Sequence, residues 1–246
     1  MVKTIRTART LIFALPMLLL ALAGWGSRAE AVDPMALIQF KANRNCPSCD
    51  LRGVDLHNAD LSVINFAGAL LNSANFHMAN LRRADLHTAD LRRANLGEAD
   101  LNLANLSKAN LRGAVLNNAN LSQANIRATD LRSANLGGAD LREANLEEAN
   151  LTHADLSQAN LNGANLSRAV FMTAVLTGVA VRGANLSGAD MRGADLRGVD
   201  LNGTSLYQAN LTGADLSGAN FNTVNLTGTI WVDGRRCGEN SFGICR

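Results

Sequence analysis

The stretch ADLRRANLGEADLNLANLSKANL, Ala89 to Leu111, places a leucine at every fifth residue and an alanine two residues before each one. An α-helix turns about 100° per residue, so this spacing would spread the leucines around its whole circumference. A strand would send successive ones to opposite faces. Neither element buries the series on one side. What remains is a chain that turns a corner about once per five residues, so that each leucine points toward a common axis and the coil closes after a few corners.

The rhythm extends far beyond the quoted stretch. From Leu51 to Trp231 every residue at the five-residue phase is apolar, mostly Leu, with Phe66, Phe76, Ile126, Phe171, Val181, Met191, Phe221 and Trp231 as variants. The position two residues earlier is mostly Ala, and departures such as Val54, Ile64, Val179 and Thr204 are small or β-branched. No insertion breaks the phase. The chain is 47% hydrophobic but only 4% aromatic. A core without rings is filled by Leu and Ala, which predicts a narrow interior. Asn or Asp usually precedes the Leu, where its side chain can bond neighbouring backbone in a turn. Gly recurs two residues after the Leu, as at Gly178, Gly183, Gly188 and Gly193, where a corner asks for positive φ.

The unit A-(N/D)-L-x-x, as in ANLGEADLNLANLSKANL from Ala94 to Leu111, resembles the pentapeptide-repeat proteins over nearly the whole chain after its N-terminal segment. The resemblance implies an all-β fold, a right-handed quadrilateral β-helix (β-solenoid) with four pentapeptides per coil and the central Leu and preceding Ala inside. A coil of this kind cannot bury its own leucines, so stability comes from stacking on its neighbours. Each fully buried Leu contributes roughly 1.5 to 3 kcal/mol. With coils about 4.8 Å apart, the repeat region forms a rod on the order of 43 Å long. On such a rod Cys46 and Cys49 lie at one end and Cys237 and Cys245 at the other, so the pairing is Cys46 with Cys49 and Cys237 with Cys245.

The ends read differently from the middle. Lys3, Arg6 and Arg9 precede an apolar run from Leu11 to about Ala23, and Ala29 and Ala31 fit an A-x-A cleavage site. Residues 1–31 are therefore expected to be a secretory signal peptide, and the mature protein to be periplasmic or secreted with no stable membrane span. Loss of Lys3, Arg6, Arg9, Arg28 and Glu30 turns the formal charge from +2 to about −1, which removes the case for a basic nucleic-acid binder. An even number of cysteines in an exported chain favours disulfides. Residues 32–50 are expected to form an N-terminal cap, with a short amphipathic helix over Asp33–Ala42 in which Asp33 is the N-cap and Pro34 lies in the first turn. The CPSC sequence at Cys46–Cys49 has a redox reading, but it lacks a thioredoxin-like context and continues the inward phases of the repeat. Residues 51–231 form the β-helix, and 232–246 a second cap pinned by Cys237 and Cys245.

Residues twenty apart should lie one above another on the outside. One face then carries Arg52, Arg92, Arg93, Arg112, Arg132 and Arg192 interleaved with Asp50, Asp90, Asp130 and Asp190. It is either an anion-binding stripe or a solvated wall of compensating ion pairs, and the second reading is favoured. On another face Arg127 lies beneath Glu147, and Glu148 beneath Arg168. His57 and His77 are expected to stack one coil apart with Asp55 nearby, which makes them candidate metal ligands short of a third partner. Between Val170 and Val181 the Asn/Asp positions become Val170, Val175 and Ala180, with Met172 also outward, an apolar collar that could serve as a contact patch. No nucleophile, base and orienting group come together in the pattern, and no phosphate loop is present.

The reading is a non-enzymatic, cofactor-free scaffold whose partner is another protein. The alternatives are a DNA-mimic inhibitor or protector of a type II topoisomerase, which the mixed-sign faces and export signal oppose, and a metal-binding surface module at the His pair.

Overall fold

The computed structural model describes Phe40 and residues 45–246. Each five-residue unit makes the same turn. In Leu51–Arg52–Gly53–Val54 the Val54 N–H donates to the Leu51 carbonyl at 3.1 Å, and Gly53 has a φ of +66°. A left-handed third residue is the signature of a type II β-turn. The fifth residue, Asp55, then bridges in parallel to Asn75, twenty residues on, and the same offset runs from Asn45↔Asn65 to Asn210↔Ile230. Four corners of five residues close each coil. The result is a four-sided β-helix held by single-residue parallel bridges, the architecture that the family resemblance implies.

The motif becomes intelligible when the five backbone N–H groups of one unit are followed, for instance from Asp90 to Ala94. Asp90 N–H donates down the rod to Ala69 O at 2.9 Å, while Leu91 and Arg93 donate up it to Asn110 O and Arg112 O at 2.7 and 3.1 Å. Ala94 closes the turn onto Leu91 O at 3.0 Å. That leaves Arg92, whose N–H donates to Asp90 Oδ1 at 3.2 Å. The Asn or Asp before each Leu is thus the acceptor for the one donor the coils cannot satisfy.

The same side chains also form ladders between coils. Asn95 Nδ2 donates to Asn75 Oδ1 at 3.1 Å, and Asn75 Nδ2 to Asp55 Oδ1 at 2.8 Å. Asn105 donates to Asp85, and Asn120 to Asp100. A carboxylate has only acceptors, so an Asp in such a ladder needs an Asn rather than a second Asp beside it.

Inside, the Leu and Ala columns are buried along the coil stack, with Leu56, Ala59, Leu216 and Ala219 toward its ends only partly so. Thr129, Thr204 and Thr229 also occupy inward Ala positions, and each hydroxyl donates to a buried carbonyl, of Leu106, Leu201 and Leu206 respectively, at 2.6–2.7 Å. Buried polar atoms without a partner are absent among the described residues. Phe66 and Phe76 fill the bore near its first coils with ring centroids 6.3 Å apart.

At the start of the stack Cys46 and Cys49 take the Leu and Ala places of one turn, with Pro47 second and Ser48 left-handed third at φ +56°. Their disulfide, with Cα atoms 5.4 Å apart, ties the first and fourth residues of that turn. Of the helix expected over Asp33–Ala42, Phe40 is described: it is helical and its ring lies 5.7 Å from that of Phe66. The rest of that segment, and the signal peptide expected at 1–31, lie outside the described residues.

At the far end the chain reverses. Asn225 pairs antiparallel with Phe242 and Ile230 with Arg236, and the upward donors Leu226 and Gly228 bond Ser241 O and Cys237 O at 2.8 and 3.0 Å. The tail so covers an edge that would otherwise be open to another chain. The Cys237–Cys245 disulfide, with Cα atoms 4.8 Å apart, holds it closed. Both cysteine pairings are those expected. Among the described residues no helix is long and apolar enough to cross a membrane.

Candidate functional site

The arginine column stands on one wall, its members in register because Arg93 N–H bonds Arg112 O and Gly113 N–H bonds Arg132 O. Most of its charges are compensated, but within a turn rather than between coils. Arg52 pairs with Asp50 at 2.7 Å, and Arg92 with Asp90, Arg132 with Asp130 and Arg192 with Asp190 at 2.6 Å each. Each pair is bidentate, since Nε also donates to Oδ1. Hydrogen bonds from the arginine side chains, working against the opposing effect of burial, hold the Asp90, Asp130 and Asp190 carboxyls below the usual carboxylate value.

Two arginines on this wall break the pattern. Arg112 follows Asn110 instead of an Asp, and among the described residues neither it nor Arg93 forms an ion pair. Both are exposed. They border a cleft of about 590 Å³ whose lining includes Ser73, Arg92, Gly113 and Ser133. Gly113 shapes it: a Cβ there would meet only Arg93 Cγ, at 3.8 Å, so the space above the glycine is open. The sequence reading found the arginines but not Ser73, Gly113 and Ser133. Their signal is the same twenty-residue offset, taken from Arg93 instead of Arg92.

The other expected sites come out differently. His57 Nδ1 contacts Asp55 Oδ1 at 2.8 Å, whereas His77 Nδ1 lies 2.9 Å from Gly97 O, one coil further on. Each ring is oriented by its own partner, and no group of three or more His, Cys, Asp or Glu suited to a metal occurs among the described residues. The apolar collar is split among three walls, since Val170, Val175 and Ala180 are successive bridge positions around one coil. Val175 is exposed, Val170 and Met172 are half-buried, and Met172 Sδ accepts from Arg192 Nη2 at 3.5 Å. They do not form one flat patch. On another wall Arg127 reaches Glu147 and Glu148 at 3.1 and 2.8 Å, and Arg168 approaches both at 3.8 Å, a mixed-sign cluster spanning three coils.

The family model for pentapeptide repeats matches residues 49–87, 89–127, 124–163, 154–193 and 189–228. The chain belongs to the pentapeptide-repeat family. Its right-handed quadrilateral β-helix is the fold of that family. Among solved structures, this pentapeptide-repeat protein is similar to HetL, a protein involved in heterocyst differentiation regulation in the cyanobacterium Nostoc sp. strain PCC 7120. The two are 33% identical over 84% of this chain and all of HetL, with a TM-score of 0.42. It is also similar to full-length QnrB1, a plasmid-mediated fluoroquinolone resistance protein, at 18% identity over 75% of this chain and 92% of QnrB1, TM-score 0.44. A thylakoid-lumen member from Arabidopsis thaliana is 30% identical over 42% of this chain and 68% of its own length, TM-score 0.17. No curated protein sequence matches the chain.

Proposed function

We propose that this pentapeptide-repeat protein is an exported, non-enzymatic scaffold that presents a rigid wall to another protein. One observation carries this reading. The side chains divide into a continuous Leu and Ala interior and an exterior on which ionisable groups stand in fixed register, mostly paired with a neighbour. A surface of that kind offers shape and patterned charge for contact; the family fold is of the same character. Export is supported by the signal-like N-terminus, 1–31, and by the disulfide at each end of the stack. The order of parts is then signal, cap over 32–50 with a short helix packing Phe40 on Phe66, β-helix over 51–231, and pinned tail over 232–246.

The DNA-mimic alternative calls for a wall of one sign, and the Asp–Arg pairs and the Arg127 cluster supply the opposite of that. A metal module at His57 and His77 has less support still, because the two rings are held by different partners.

Cell fractionation with mass spectrometry of the mature protein tests the proposal. The expected result is a periplasmic or secreted chain beginning at Val32 with two intact disulfides, cross-linked through its outer wall to a protein partner. A cytoplasmic chain with its N-terminus intact and its cysteines reduced would overturn it.

A further inference from the structure

We propose that the cleft bordered by Arg93 and Arg112 binds a phosphate-bearing small molecule. The argument starts from the acids that are missing. Arg92 and Arg132, the coil neighbours of Arg112 on either side, consume Asp90 and Asp130 in bidentate pairs. Arg82 makes the comparison: it too follows an Asn, Asn80, yet it finds Asp100 at 3.2 Å, because Asp100 is followed by Asn102 and has no arginine of its own. For Arg112 the nearby carboxylate, Asp130, is already taken. Three arginines therefore stand on successive coils, whose backbones are about 4.8 Å apart, with two carboxylates among them; Asp130 also feels the Arg112 charge, but it is bound to Arg132, and Arg112 has no ion pair of its own.

Arg93 adds a second uncompensated charge beside it. Its column holds Ser73, Gly113 and Ser133, so no acid stands above or below it. The serine hydroxyls make no hydrogen bond among the described residues and face the same cleft. The site thus supplies a surplus of two positive charges, two planar five-donor forks and two hydroxyls, around an opening made by a glycine.

A phosphate monoester matches this set. It carries about −1.5 to −2 charge at neutral pH and three acceptor oxygens, enough for both guanidiniums at once. A single carboxylate brings one charge and two oxygens and leaves one arginine uncompensated, and a dicarboxylate matches the charge only by dividing it between two separated groups, without three oxygens on one centre. The cleft, about 590 Å³, leaves room for the group to which the phosphate is attached and falls in the usual range for small-ligand sites.

The test is isothermal titration of the mature, disulfide-bonded protein at low salt with inorganic pyrophosphate, glucose 6-phosphate and, as the carboxylate control, succinate. Saturable one-to-one binding of the phosphates is expected, with affinity falling by about tenfold or more in Arg93→Gln and in Arg112→Gln. Arg142→Gln removes the same charge elsewhere, where Arg142 is paired with Asp140 at 2.6 Å, and should leave binding unchanged. Circular dichroism melts of the three variants establish that each is folded. Glucose 6-phosphate binding more tightly than pyrophosphate identifies an ester rather than a free phosphate as the ligand, and the reverse order the free anion. The proposal is overturned by a wild type that shows no saturable phosphate binding, by equal losses in all three variants, or by succinate binding as tightly as the phosphates.

Discussion

Asp195 and Asp215 occupy successive rungs of one bridge column, and Arg197 reaches both, at 2.7 Å and 3.7 Å. Elsewhere in the four columns an Asp has Asn or an apolar residue as its coil neighbour, as Asp100 has Asn120 and Asp155 has Val175. The ladder tolerates an acid beside an acid only where a cation spans them. That rule follows from the absence of donors on a carboxylate and from the short coil spacing.

Arg197→Gln should therefore lower the melting temperature at neutral pH, and adding Asp215→Asn should restore it. Both depend on repulsion between carboxylates, so the difference between Arg197→Gln and wild type should shrink as the two acids are protonated. A melting series in pH 7 and pH 3 buffers measures this. An Arg197→Gln protein that melts as the wild type does at pH 7 would refute the rule.

The paired aspartates also set the response of the whole rod to acid. Arginine hydrogen bonds depress the carboxyls of Asp90, Asp130, Asp140 and Asp190 below their ordinary value of 3.8. A group with a depressed folded-state pKa stabilises above its unfolded value, and that contribution fades as pH falls through the folded value. Stability should be level above about pH 5 and decline below about 3.8. Urea unfolding at stepped pH is the measurement, and a combined Arg92→Gln, Arg132→Gln, Arg142→Gln and Arg192→Gln variant should show a shallower acid decline. Each pair is partly solvated and contributes little alone, so the effect is read from the set.

Val63 stands at a corner with φ +59° and is 71% exposed, a β-branched side chain in the left-handed region with little packing in return. Left-handed backbone costs an ordinary L-residue roughly 1–2 kcal/mol, and Asn tolerates it better. Val63→Asn is expected to stabilise by up to about 1 kcal/mol, a rise of roughly 2–4 °C in Tm. The reverse exchange, Gly53→Val at φ +66°, should destabilise. Calorimetry of both variants decides the point; a fall in Tm for Val63→Asn would sink it.

Register is the property on which the core depends. Inserting one alanine after Leu136 displaces every inward Leu and Ala nearby from its column, and each misplaced Leu forfeits about 2–5 kcal/mol. Deleting residues 131–150 removes twenty residues and one whole coil, so the phase is kept. The longer deletion should melt cooperatively near the wild-type temperature and the single insertion far below it. An insertion variant as stable as the deletion variant would contradict the columnar packing.

Much of the molecule is legible in its primary structure because the period is strict. Five-residue spacing of Leu determined the corner, and with it which side chains face the bore, since no helix or strand can bury that pattern. The twenty-residue coil implied by the family resemblance then placed Arg92 under Arg112 and His57 under His77 on shared walls. Register says where a side chain is rooted, however, and not which neighbour it will choose. Arg92 folds back onto Asp90 in its own turn, Arg82 crosses to Asp100, and Arg112 finds its nearby acid already engaged, three outcomes for one residue type in similar settings. His57 and His77 part company for the same reason. Those choices depend on competition among a few donors and acceptors within hydrogen-bond reach, a matter of ångströms that only the folded coil brings about.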